Sequence, residues 1–373
     1  MKRVRDIIIN RRLLVTVFLV TLVLAFTSNC SKKESEPSTI KIGVVGPFTG
    51  EGATYGESMR RGFELAFQNE PDVKLIYEDS KLSPKDAAAA INKLIAADKV
   101  KVVLGAAASG ETLAMAPVAE SNKVILFSSI STSDDLRTSG EYVFRNVPRN
   151  EVQGITGAVF LFKSLGKRNV VILKKNDEYA NNLSKSFKHK FEELGGTVLL
   201  EEAYQPGTAD FRSIVAKIKS LEPQAIYVPG NYQEVALLLR QAYEGGLKAT
   251  FVGGDGSYSP ELINLAGDAA EDTYYTLMAV EHNDYYNEFH EAFLKKYKKE
   301  PDVYDAYAYE AASIILKSIR QAGYDATKIK DYLLSRSFDR SLTGPLRFDQ
   351  DGEVERQYGI VKVTKDKFVD VQL

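Results

Sequence analysis

The chain has 373 residues, of which 44% are hydrophobic and 26% charged, and its formal net charge is −2. So even a balance argues against nucleic acid or an anionic lipid surface as a partner. A single cysteine excludes a disulfide framework or a thiolate metal cluster, and three histidines leave little for acid–base catalysis beyond carboxylates.

The first element is a leader. Lys2, Arg3, Arg5, Arg11 and Arg12 precede an almost wholly apolar run from Leu13 to Phe26. That run is too short to cross a hydrocarbon core, which takes about 20 residues. A basic start, a short apolar stretch and then the small residues Thr27 and Ser28 read as a secretory signal. Cys30 follows at the cleavage point, so residues 1–29 read as a lipoprotein signal peptide with the Cys30 thiol as lipidation site. The alternatives are ordinary secretion with a free thiol and an uncleaved anchor. Removing residues 1–29 leaves 344 residues with a net charge of −6, a length for which two lobes are expected. Residues 30–38, polar and containing Pro37, read as a lipidated tether.

From Ile40 short Val- and Ile-rich runs alternate with stretches at helical spacing. "IKIGVV" (40–45), "VVLG" (102–105), "VILFS" (124–128), "NVVILK" (169–174), "AIYVPG" (225–230) and "TFVGG" (250–254) read as strands buried on both faces. Residues 57–68, 84–97, 112–122, 182–194, 211–221 and 232–243 read as helices. Residues 40–132 and 169–256 run through the same order, with Tyr55 and Tyr179 in matching loops. The fold class is therefore α/β, with two doubly wound parallel-sheet lobes facing each other. In such sheets ligands bind beyond the carboxyl ends of the strands, so the informative residues follow strands.

In "GAAASGET" Ser109 stands at a helix entrance, where a hydroxyl and free N–H groups hold an anion; plain capping is the alternative. Ser131 and Thr132, at the end of the neighbouring strand, could hold the same anion or cap the next helical turn. In "GGDGSY" Asp255 sits on a glycine-flanked strand end, where an ammonium is its natural partner; a turn aspartate bonding its own backbone is the alternative. Tyr55 and Tyr179 could cover a ligand or simply pack. Anion holders in one half and a carboxylate in the other suit a zwitterion, and an α-amino acid is one. No G-x-S-x-G, H-E-x-x-H or phosphate-loop pattern occurs, and the glycines from Gly43 to Gly52 miss the dinucleotide spacing. We expect no enzyme activity, no cofactor and no metal; His282 and His290 flank a stretch that reads as a solvated helix face.

"IKIGVVGPFTGEGATYGESMRRGFELAF", "VVLGAAASGETLAMAPVAESNKVILFSS", "GTADFRSIVAKIKSLEPQAIYV", "LLRQAYEGGLKATFVGGDG" and "GPLRFDQDGE" together resemble the type I periplasmic solute-binding proteins of ABC transporters. The resemblance is to the branch that binds leucine, isoleucine and valine, and it spans residues 39–373. It implies that Ser109, backbone at Ile130 and Thr132 hold the ligand carboxylate. It likewise implies that Asp255 meets the ammonium, Tyr55 packs on the side chain, and Tyr179 closes from the second lobe. Two positions depart from the family's pattern: Asn231 stands where an aromatic is usual, with Tyr232 next to it, and Asp255 is one methylene shorter than a glutamate. The resemblance further implies a hinge crossed three times, with lobe 1 formed by 39–148 and 279–355 and lobe 2 by 149–278 and 356–373. The expected protein is an extracytoplasmic monomer, anchored to the membrane by lipid, that hands an amino acid to an ABC transporter permease. A binder of an amide, urea or an aromatic acid, or a ligand-sensing module of the same fold, is the alternative. No transmembrane or signalling segment precedes Leu373, which favours delivery.

Overall fold

The computed structural model describes residues 39–372. The leader, Cys30 and the tether lie outside the described residues. No described helix is long and apolar enough to cross a membrane.

Two sheets organise the chain. The first contains β1 (Ile40–Gly46), β2 (Val73–Asp79), β3 (Val102–Gly105), β4 (Ile125–Ser128) and β5 (Val143–Arg145) in the order 2-1-3-4-5. All of its pairings are parallel. The second contains β6 (Asn169–Lys175), β7 (Thr197–Tyr204), β8 (Ala225–Val228), β9 (Thr250–Gly253) and β10 (Tyr274–Met278) in the order 7-6-8-9-10. That is the same winding, so the repeat read in the sequence is a repeat of topology. β3, β4 and β8 are buried at every position, as continuous apolar runs require.

The second sheet continues into a part the repeat did not foretell. After the small hairpin of β11 (Ser337–Phe338) and β12 (Leu346–Arg347), β13 (Tyr358–Thr364) pairs antiparallel with β10. β14 (Lys367–Asp370) then pairs antiparallel with β13. The chain thus passes between the lobes after β5, after β10 and before β13.

Two helices begin earlier than the periodicity predicted. Ala53–Ala66 takes in Tyr55, and Glu178–Glu193 takes in Tyr179. Both tyrosines therefore ride on the first turns of helices and not in loops. Asp177 caps the second of these helices, its Oδ1 accepting from Ala180 N at 2.8 Å. The helix Val303–Ala322 packs across Ala53–Ala66. The fit depends on Gly62, where a Cβ would lie 2.5 Å from Asp305 O and 2.6 Å from Ala308 Cβ.

The three crossings are bound to one another. Ala279 N donates to Gln357 O at 3.1 Å, Tyr307 Oη to Ala279 O at 2.8 Å, and Tyr358 Oη to Pro148 O at 3.1 Å. Glu310, fully buried, gathers Arg356 Nη2 and Leu342 N at 2.8 Å each on one oxygen and Asn146 Nδ2 at 2.7 Å on the other.

Candidate functional site

A cavity of about 560 Å³ opens between the two sheets, at the carboxyl ends of their strands. Tyr55 reaches it from beyond β1, Ser109 from beyond β3, and Ile130 and Thr132 from beyond β4. From the other lobe come Tyr179 beyond β6, Asn231 beyond β8 and Asp255 beyond β9. All seven of these residues line this one cavity, and Ser131, also singled out in the sequence, does not. The 2-1-3-4-5 winding is the reason: it places the switch point of each sheet at its first and third strands.

The first lobe offers donors. Ser109 is the first residue of the helix Ser109–Asn122, and Ala108 is its cap position. Glu111 Oε2 takes the Ala108 N–H at 2.9 Å, so the capping alternative for Ser109 falls away. Ser109 Oγ instead accepts from Ser133 N at 3.1 Å, which leaves its own proton free for the cavity. Among the described residues the Thr132 hydroxyl has no hydrogen-bond partner. Ser131 does not share this role. Its Oγ lies 2.6 Å from Thr112 Oγ1 and donates to the carbonyls of Ala106 and Ala107. The Ile130 N–H is also spent, on Ser128 Oγ at 3.3 Å. The backbone group that Ile130 leaves without a partner among the described residues is its carbonyl, an acceptor, which would suit an ammonium, whereas the resemblance implied the carboxylate.

The second lobe offers a carboxylate. Asp255 is 2% exposed, and its Oδ1 accepts from Tyr179 Oη and Gln153 Nε2, both at 2.7 Å. Burial pushes its pKa up, and the two hydrogen bonds pull it part of the way back. Among the described residues no lysine or arginine forms an ion pair with it. Burial, then the Asp255 charge, holds the Tyr179 hydroxyl protonated well above its ordinary range, so it acts as a fixed donor.

Aromatic rings join the two lobes over the site. Tyr55 meets Tyr232 and Tyr304 edge-on, with ring centroids 5.5 and 5.6 Å away. Tyr55 Oη donates to Gly256 O, Tyr304 Oη to Asp255 O at 2.6 Å, and Tyr232 Oη to Glu51 O at 3.0 Å. Asp134 N adds a fourth clasp, to Asn182 Oδ1 at 3.1 Å. The lobes are therefore closed on each other. Tyr232 does not stand in for the aromatic missing at Asn231: Asn231 lines the cavity, and Tyr232 packs behind Tyr55.

Sequence reasoning missed Gln153, Tyr304 and Lys175. The first two come from helices remote in sequence, and nothing local marks them. Lys175, at the very end of β6, lines the cavity with its Nζ 2.8 Å from Glu234 Oε1, both side chains 4% exposed. A lysine closing an apolar strand was the one available signal.

Residues 39–367 match the periplasmic binding protein family. The chain belongs to that family. It is 30% identical over 328 residues to a leucine-, isoleucine-, valine-, threonine- and alanine-binding protein of Pseudomonas aeruginosa, covering 85% of this chain and 87% of that one. Among solved structures it is similar to a leucine-binding protein from Thermotoga maritima, with 32% identity, a TM-score of 0.85, and 89% and 98% of the two chains covered. It is also similar to a branched-chain amino acid transporter substrate-binding protein from Streptococcus pneumoniae in complex with isoleucine, with 27% identity, a TM-score of 0.82, and 89% and 100% covered. A solute-binding protein from R. palustris in complex with benzoate shares the fold at 21% identity and a TM-score of 0.82. This periplasmic binding protein is thus of type I, from the branched-chain amino acid branch of the ABC transporter binding proteins, and is a binder and not an enzyme.

Proposed function

We propose that the cleft captures the zwitterion of a neutral aliphatic L-α-amino acid, branched-chain in the first instance, and that closure presents it to an ABC importer. The observation that carries this reading is Asp255: a buried carboxylate without a cationic partner, facing a helix entrance and two hydroxyls across one cavity. A lone buried charge is costly unless something pairs it, and a ligand ammonium would supply that pair. In this reading the Ile130 carbonyl shares the ammonium. Ser109 and Thr132, with the free N–H groups at the helix start, take the carboxylate. Tyr55 covers the side chain. Lobe 1 comprises 39–148 with 279–355, and lobe 2 comprises 149–278 with 356–373. The names of the relatives support the ligand class, and the family supports an extracytoplasmic site of action.

The test is a thermal-unfolding panel on residues 31–373 with the twenty amino acids, urea, simple amides and aromatic acids, and Asp255→Ala as control. A ligand at 100 times its Kd adds about 2.7 kcal/mol to stability. Stabilisation by leucine, isoleucine or valine that disappears in Asp255→Ala supports the reading. Stabilisation by a benzoate or an amide alone refutes the ammonium role of Asp255 and leaves the family untouched.

We propose further that Cys30 carries a lipid that holds the protein at the membrane, raising its concentration beside the permease. Cys30→Ser should move the protein from the membrane fraction to the soluble one. Retention of the variant in membranes would show that the leader itself is the anchor.

A further inference from the structure

Arg145, at the end of β5, is the bulkiest fully buried side chain in the described residues. A guanidinium carries five N–H donors in a rigid plane. Here one edge holds Glu353, with Nε 3.0 Å from Oε2. Nη1 reaches two carbonyls, Ser133 O at 2.7 Å and Ser131 O at 3.3 Å. These two carbonyls flank Thr132.

Peptide planarity turns this grip into an aiming device. In a trans peptide the C=O and the next residue's N–H point in opposite directions. Drawing the Ser131 carbonyl inward to Arg145 therefore turns the Thr132 N–H away from Arg145, and Thr132 is a lining residue of the cavity. Drawing the Ser133 carbonyl inward turns the Asp134 N–H outward in the same way, and that N–H donates to Asn182 Oδ1 of the opposite lobe at 3.1 Å. Glu353 neutralises the guanidinium, and Glu353 belongs to the segment that leads into the third crossing.

We infer that Arg145 is a positioning residue: it holds the Ser131–Ser133 turn so that one amide meets the ligand's carboxylate and the next clasps the second lobe. It touches no ligand atom itself. This rests on the zwitterion reading above, and the experiment separates the two.

The probes are L-leucine and L-leucinamide, which differ only in the carboxylate, titrated calorimetrically against the protein without its leader. The variants are Arg145→Lys, which keeps the charge and loses the fork, and the double variant Arg145→Met/Glu353→Met, which removes both charges together so that neither is left buried alone. Circular dichroism establishes which of them fold, and the double variant decides if Arg145→Lys does not. The expected result is a fall of roughly tenfold or more in the leucine-to-leucinamide affinity ratio, the equivalent of one charge-assisted hydrogen bond lost from the carboxylate alone. A purely structural role would weaken both probes together and leave the ratio unchanged, and that outcome overturns the inference, as does a variant that binds both as the wild type does. If the wild type binds neither probe while its melting is cooperative, the zwitterion reading fails first and takes this inference with it.

Discussion

Asp255 shows how a single residue can be costly to the empty protein and indispensable to the loaded one. Its pKa is raised by burial, so the folded protein holds that proton more tightly than the unfolded chain does. The stability this gives is complete below the unfolded-state value, near pH 4, and is lost as the pH rises through the folded-state value. Asp255→Asn removes the titration and keeps an oxygen that accepts from both Tyr179 and Gln153. The ligand-free variant should therefore melt above the wild type near neutral pH, with the gap closing toward about pH 4. It should also lose about 2 kcal/mol of amino acid affinity, roughly 30-fold. Melting curves across pH with a leucine titration check both halves; a variant that melts lower at neutral pH and still binds would contradict them. The residue type and its glycine-flanked loop were legible in the sequence. Gln153, which helps hold it, was not, because its contact is a product of the first crossing.

Among the elements, the pairing of Ala53–Ala66 with Val303–Ala322 sets where Tyr55 and Tyr304 stand above the cavity. Gly62 is the point of closest approach. An exposed helix would gain up to about 1 kcal/mol from Gly→Ala. Here the new methyl would meet the Asp305 carbonyl at 2.5 Å, inside any permitted contact, and backbone cannot rotate away. We expect Gly62→Ala to destabilise by roughly 1–3 kcal/mol, read from the urea midpoint. A gain in stability would show that the two helices can part freely. Periodicity predicted the first of these helices from residue 57, past the turn that carries Tyr55. Gly50, Gly52 and Gly56 dilute the apolar pattern over that first turn, so spacing alone starts the helix late. The antiparallel β13 and β14 were likewise hidden, since strands that complete a sheet from the far end of the chain have no repeat partner.

The whole molecule depends on its crossings. Glu310 ties Arg356 of the third crossing to Asn146 near the first. Replacing it leaves a guanidinium buried without a counter-charge. Glu310→Ala should cost about 3–5 kcal/mol, and equilibrium denaturation measures it. A loss below about 1 kcal/mol would mean that the hinge segments hold each other without their ionic knot. The closed lobes here are joined by side chains from both sides, Tyr55, Tyr232 and Tyr304 among them. Ligand binding then competes with an opening that breaks only a few hydrogen bonds, a balance suited to a hinge protein.

What the sequence determined by itself was whatever local pattern encodes: the order of strands and helices within the duplicated unit, the duplication itself, and the rule that ligand-binding residues follow strands. Those sufficed to mark Tyr55, Ser109, Thr132, Tyr179 and Asp255, and the family resemblance added Ile130 and Asn231; all seven line one cavity. The tertiary structure alone decided which atom each residue presents. The Ile130 amide is taken by Ser128; Ser131 turns inward because Thr112 and two carbonyls hold it; the carbonyls on either side of Thr132 are gripped by Arg145. Such choices are made by partners tens to hundreds of residues away, through hydrogen bonds that form only when both lobes are wound, and no window along the chain contains them.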